Sequence, residues 1–300
     1  MWWRSALLMW LFLMLRTSEG FTICSYNVQK LNSQKISNHR HTLTRLLSRC
    51  DVALLQHVSD PDGKVVRTLL NTLNKFDDFL YSSVSSDGLG KSPDLQKYVY
   101  IYRTGSVEVL DQYQYRGPSS FLRPPFVVQF RSNRTAIKKF FLVPLHSDPD
   151  QAKDEINGLY DVFQDVSRKW NNQTLCFLGD FHAACAYLTK SNRKDVRLFR
   201  NSSFSWLIGD KVDTTVSDDT SCAYDRMVVF GEPLLKAIIP RSAKVFDLSK
   251  EFKLSRTKVM SISENHPLMV KLKSSTLMLQ ATPLLLLLLS VIGWLSLSDQ

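Results

Sequence analysis

From residue 21 to residue 272, apolar runs of strand length alternate with amphipathic stretches of helical period, and no Gly/Ser linker or repeat interrupts them. Strand-like runs span residues 21–29, 52–58, 98–103, 106–115, 126–131, 139–145, 175–178, 227–230 and 267–272. Helical spacing marks residues 41–49, 65–73 and 150–170, the last with Ile156, Leu159, Tyr160, Phe163 and Val166 on one stripe. Strands outnumber helices without being segregated from them, so the class is α/β with mixed sheets in one domain. A content of 44% hydrophobic and 22% charged residues excludes disorder, collagen and coiled coil.

The two ends are not domain material. Residues 1–20 combine an early Arg4, an apolar run and Ser18-Glu19-Gly20 ahead of Phe21, the pattern of a cleaved secretory signal. Residues 274–300 form a hydrophobic tail, with six consecutive leucines at 284–289 and no basic cluster after them. The small residues Ser274-Ser275-Thr276 ahead of it favour a lipid-anchor attachment signal, with a membrane span as the alternative. The domain proper is therefore residues 21–273, on the secretory pathway and at the extracellular face of a membrane.

The ends carry two basic and two acidic residues, so the body keeps the whole net charge of +10. That excess suits DNA or another polyanion, or an anionic membrane face, as partner; a basic ectodomain with no such partner is the plainer reading. Of five cysteines, Cys24 and Cys176 sit inside apolar runs and read as buried thiols, while Cys185 and Cys222 lie in polar loops and read as a disulfide. Sequons stand at Asn133, Asn172 and Asn201.

Chemistry-bearing residues cluster at the ends of the buried runs. They are Asn27, His57, His146, Asp180, Asp225 and the Ser263-Glu264-Asn265-His266-Pro267 segment. Side chains at strand ends are held rigidly and can converge on one cleft.

The order Ser-Tyr-Asn, Leu-Gln-x-Val, Tyr-Val-Tyr-Ile-Tyr-Arg, Val-Pro-Leu-His-Ser, Leu-Gly-Asp-Phe, Asp-Thr-Thr-Val, Cys-Ala-Tyr-Asp-Arg and Ser-x-x-x-Pro-Leu resembles the deoxyribonuclease I family, collinearly over almost all of residues 21–273. The resemblance implies two stacked mixed β-sheets flanked by helices, with the cleft at one end of the sandwich, in a monomer. It also implies hydrolysis of DNA phosphodiesters with Mg²⁺ and Ca²⁺, one histidine activating water and another protonating the leaving oxygen, each oriented by a carboxylate. Asn27 and Asp180 match the metal and phosphate places, His146 the acid, and Asp225 the carboxylate behind the base. Thr220 and Tyr224 flank the phosphate, Arg123 keeps a basic DNA contact, and Cys185–Cys222 matches the family disulfide.

Four departures stand at functional places. The metal-binding Glu of Gln-Glu-Val is His57; the Glu that orients the acid is Gln96; the Asn of Leu-Gly-Asp-Phe-Asn is His182; and the general base of Ser-Asp-His-x-Pro is Asn265. His266 lies one position late, which in a strand turns it to the opposite face. The groove-inserting tyrosine is Asp94, a charge that opposes phosphate unless it is a solvated loop residue. Asp180, Asp225 and Glu264 are the carboxylates that remain. A set of His57, His182, Asp180 and Glu264, with His146 in reach, would suit Zn²⁺ or Mn²⁺ better than Mg²⁺; the plainer reading is that His57 and His182 fill a dead pocket as neutral, hydrogen-bonded rings.

The expectation is a catalytically impaired family member that binds DNA weakly and without sequence preference. The alternatives are an active metal-dependent DNA endonuclease and a membrane-surface scaffold for a protein partner.

Overall fold

The computed structural model describes residues 20–171 and 174–275. Apart from Gly20, the expected leader lies outside the described residues, as do the sequon residue Asn172 and the tail from residue 276 onward.

Every position from Phe21 to Val28 is buried, so β1 (Phe21–Leu31) is a central strand covered on both faces. It pairs in parallel with β2 (Val52–Val58) and antiparallel with β12 (Leu268–Leu272). With β3 (Tyr81–Ser85), β4 (Lys97–Arg103) and β11 (Lys244–Val245) they form a six-stranded sheet ordered β11-β12-β1-β2-β4-β3. The second six-stranded sheet contains β5 (Glu108–Gln114), β6 (Phe126–Arg131), β7 (Lys139–Pro144), β8 (Leu175–Asp180), β9 (Phe204–Trp206) and β10 (Asp225–Phe230). Its order is β5-β6-β7-β8-β10-β9. The expected pair of stacked mixed sheets is thus present.

Ile23, Leu54 and Tyr100 from one sheet meet Phe130, Leu142 and Leu178 from the other in the central core. On the outer face of the first sheet lie α1 (Ser33–Leu47) and α2 (Lys64–Phe76), through Leu43, Leu46, Leu69 and Leu73. On the second lies α3 (Ala152–Trp170), through Ile156, Leu159 and Phe163. Removal of such faces from water is the main favourable term in folding.

The register gives the sandwich two distinct ends. Asn27 pairs with Gln56 on the parallel strand, and Asp180 with Asp225 on the antiparallel one, so the carboxyl ends of β1, β2 and β8 meet the start of β10. The starts of β1 and β2 and the end of β12 gather at the other end, where Phe21 pairs with Leu272. Six residues of extended strand separate the ends, roughly 20 Å.

Three local expectations need correction. Helix α1 begins at Ser33 instead of near residue 41, because Asn32 caps it, its side chain accepting from the Lys35 amide. Strand β3 has too little apolar character to be read from Tyr81-Ser-Ser-Val-Ser and is held as an edge strand by pairing with β4. Cys24 is not a thiol: the end of α1 returns beside β1 and Cys24 bonds to Cys50. Cys185–Cys222 forms as expected, and Cys176 is the buried free cysteine among the described residues.

Candidate active site

The cleft end holds a cavity of about 470 Å³ lined by Asn27, His57, His146, Asp180, His182, Tyr224, Glu264 and Asn265 among others. Residues from positions 27 to 265 meet there because Gln56 ties the sheets together. Its side chain donates to the Leu145 carbonyl at 2.7 Å and accepts from the Asp180 amide at 2.9 Å. Gly179 is required at this crossing: it sits at φ +135°, and a Cβ would stand 2.1 Å from the Gln56 amide nitrogen.

At the centre is a carboxylate–carboxamide cluster. Asp180 Oδ2 accepts from Asn27 Nδ2 and from Asn265 Nδ2, each at 3.0 Å. The same Asn265 nitrogen donates to Asp225 Oδ2 at 2.6 Å. Burial, and then the adjacent Asp180 charge, push the Asp225 carboxyl well above its ordinary range. Asn265 thus supplies a donor where the resemblance places a proton acceptor.

His146 Nδ1 donates to Gln96 Oε1 at 2.9 Å, and its Nε2 lies 3.5 Å from Asn27 Nδ2. Burial first, then Arg123 and the neighbouring imidazoles, hold this ring well below its usual pKa. Gln96, an amide, brings no charge that would offset this. His57 stands at φ +60° with its ring centroid 5.2 Å from that of His146. Its Nε2 is buried without a hydrogen-bond partner, and burial, then Arg123, bring its pKa down to about 4. His182, at φ +48°, occupies a left-handed turn of the kind that Asn, Asp and His tolerate best. Its Nδ1 lies 3.0 Å from Ser147 Oγ, and its ring packs between His146 and Tyr224.

Several expected residues behave differently. Arg123 is buried beneath the cleft and donates to the carbonyls of His146 and Ser147 at 2.8 and 2.7 Å. It supports the His146 loop, and its burial leaves little of the guanidinium exposed at the surface. Asp94 pairs with Lys30 at 2.6 Å, which offsets its repulsion of phosphate. Glu264 is exposed at the cavity rim, and Thr220 bonds to Thr215 there. His266 points away, into a second cavity of about 310 Å³ beside Asp247, as a one-residue displacement requires. Tyr187 was not singled out from sequence; the Cys185–Cys222 bond holds its loop beside Tyr224, and its ring lies 5.2 Å from that of His182.

The donor set does not fit a divalent metal. Among the described residues no three His, Cys, Asp or Glu side chains are grouped to hold a metal ion. Of the candidate Zn²⁺ or Mn²⁺ set, His182 Nδ1 stands 3.6 Å from Asp180 Oδ1, while Asp180 Oδ2 accepts from two amide donors and Glu264 lies exposed at the cavity rim. For Mg²⁺, which takes oxygen ligands, the place of one carboxylate holds an imidazole.

Residues 24–236 match the Endonuclease/Exonuclease/phosphatase family. The chain is 40% identical over 276 residues to Deoxyribonuclease-1-like 1 of Cricetulus griseus, covering 91% of this chain and 90% of that protein. It is 41% identical over 268 residues to Deoxyribonuclease-1 of Sus scrofa, with coverages of 87% and 94%. Among solved structures, the endonuclease/exonuclease/phosphatase from Bacteroides vulgatus superposes with a TM-score of 0.60 at 12% identity, over 85% of this chain and all but 1% of that one, covering 99%. D. rerio TDP2 complexed with single strand DNA product gives 0.58 at 16% identity, over 83% and 97%. At these identities the two structures establish a shared fold.

Proposed function

The chain belongs to the Endonuclease/Exonuclease/phosphatase family, in its deoxyribonuclease I branch, and from that premise we propose that it binds DNA while hydrolysing it slowly or not at all. The observation that carries this reading is the Asn265 carboxamide donating to both Asp180 and Asp225. Hydrolysis at this site needs a group to take a proton from water and a protonated group to release the 3′ oxygen. Asn265 has no titratable nitrogen, and burial holds His146, paired with the uncharged Gln96, well below its usual pKa. Loss of a general base alone costs roughly 10²–10⁴ in rate, and the residues of such a site act as a unit.

The family resemblance implies a divalent metal, and of the oxygen donors it would use, the place of one carboxylate is taken by the His57 imidazole. The +10 charge supports weak, sequence-independent DNA binding. Two disulfides support an oxidising compartment; the sequons and the apolar residues 277–297 support glycosylation and attachment to the outer membrane face.

A second reading, an active endonuclease, is favoured by one feature. The unprotonated nitrogens of His146 and His57 are proton acceptors inside the cleft. Plasmid nicking by the purified full chain, with Mg²⁺ and Ca²⁺ and then with Mn²⁺, decides between them: nicking at the rate of a family nuclease overturns the impaired reading. DNA affinity titrated against salt tests the binding half, with a slope of about −0.9 per phosphate neutralised. An affinity indifferent to salt removes the electrostatic basis and favours a protein partner.

A further inference from the structure

At the end of the sandwich opposite the cleft, three of the seven large hydrophobic side chains exposed among the described residues fall within five positions. They are Phe76, Phe79 and Leu80, at 55%, 43% and 68% exposure, between α2 and β3. A cluster of this kind marks a contact surface more often than isolated exposed residues do.

Ser275, which precedes the apolar residues 277–297 in the sequence, is tied to this same end. Ser275 donates from its backbone to the Arg134 carbonyl and from its hydroxyl to the Asn133 carbonyl, both on the β6–β7 turn. The Arg134 guanidinium reaches Asp51 at 3.9 Å, and Asp51 is 3.7 Å from Arg103. Arg103 in turn lies over the Phe79 ring, 4.4 Å from its centroid. One continuous set of contacts thus joins Ser275 to the apolar cluster, and the sequence that follows Ser275 runs into the apolar residues 277–297. The turn and the start of β7 are basic, with Arg134, Lys138 and Lys139 exposed, while within the apolar cluster Asp77 accepts from the Tyr81 hydroxyl and Asp78 is exposed.

We infer that this end of the sandwich is a bilayer-contacting face: Phe76, Phe79 and Leu80 enter the membrane interface, the basic β6–β7 turn meets anionic headgroups, and the cleft faces away from the lipid. The inference rests on the reading of residues 277–297 as a membrane attachment and is independent of whether the cleft hydrolyses DNA. An apolar cluster beside lysines and arginines combines the two attractions that hold a protein surface on anionic lipid.

The test uses the full, glycosylated chain in phosphatidylcholine vesicles with and without phosphatidylserine. The Asn133 sequon lies on the same turn, where a glycan would hold it off the headgroups, so occupancy of Asn133 found by mass spectrometry also overturns the inference. A nitroxide is placed on Leu80→Cys or, as reference at the cleft end, on Leu95→Cys, both exposed positions. Collisions with oxygen and with an aqueous nickel complex are read by power saturation. The label at 80 should be several-fold less accessible to nickel than the label at 95, more so with phosphatidylserine, and Lys138→Glu/Lys139→Glu should abolish that lipid dependence. Equal aqueous accessibility at 80 and 95, no response to phosphatidylserine, or a chain that fails to float with vesicles each overturns the inference.

Discussion

The Asn265 carboxamide nitrogen stands 2.6 Å from Asp225 Oδ2, donating to a carboxylate that the resemblance assigns to orienting a catalytic histidine. With its second bond to Asp180, the contact converts a place for moving protons into a place where buried acceptors are satisfied. A group left without its partner in such a setting costs the full desolvation of that atom.

Asn265→Ala should therefore lower stability by about 1–3 kcal/mol, read as a shifted urea midpoint at pH 7. Asn265→Asp should lose more, because it adds a carboxylate beside two that already oppose each other. An unchanged midpoint in the alanine variant would remove the bridge from the account of the cleft.

Restoring the base alone should not restore hydrolysis. Asn265→His is expected to nick plasmid less than Asn265→His combined with His57→Glu and Gln96→Glu, since an acid without its carboxylate leaves the sequence of proton transfers incomplete. Wild-type protein already as fast as the triple variant would refute the impaired reading.

Gln96→Glu by itself should raise the His146 pKa. The new carboxylate replaces an amide oxygen 2.9 Å from Nδ1, and an opposite charge at that range shifts a pKa by about 1–3 units toward the charged form. The ring-proton titration of His146 in wild type and variant measures this directly; coincident curves would mean that Gln96 does not control its protonation.

His57 gives acid sensitivity a definite sign. Its pKa falls from 6.5 unfolded to about 4 folded, so the unfolded chain binds more protons across that window. Stability is lost as pH drops from 6.5 toward 4, by up to about 3 kcal/mol from this ring. Glu155, pushed up to about 7 by burial, acts in the opposite direction, its folded form losing stability as pH rises from 4.5 to 7. The comparison must therefore be a difference: His57→Asn, which tolerates φ +60°, should show a flatter loss than wild type in urea unfolding between pH 7 and 4.5. Identical slopes would contradict the assignment.

Cys24–Cys50 closes a loop with a sequence separation of 26. Replacing both by alanine should cost about 3 kcal/mol through the freer unfolded chain. A loss below about 1 kcal/mol would show that the cross-link does not hold this end of β1.

The residues that meet in the cleft were legible in the sequence. Asn27, His57, His146, Asp180, Asp225 and Asn265 each follow or open an apolar run, and strand periodicity is a local property that carries such positions to strand ends. The displacement of His266 followed from the same periodicity. Partner choice was not legible. Arg123 is absorbed by two carbonyls 23 and 24 positions away, Asp94 finds Lys30 across 64, and Asn265 spans 85 to reach Asp180. Cys24 meets Cys50 only because α1 returns against β1. These pairings depend on sheet register and on which loops the disulfides and Gln56 hold together, and a hydrogen bond of about 3 Å is decided by geometry that no single segment contains.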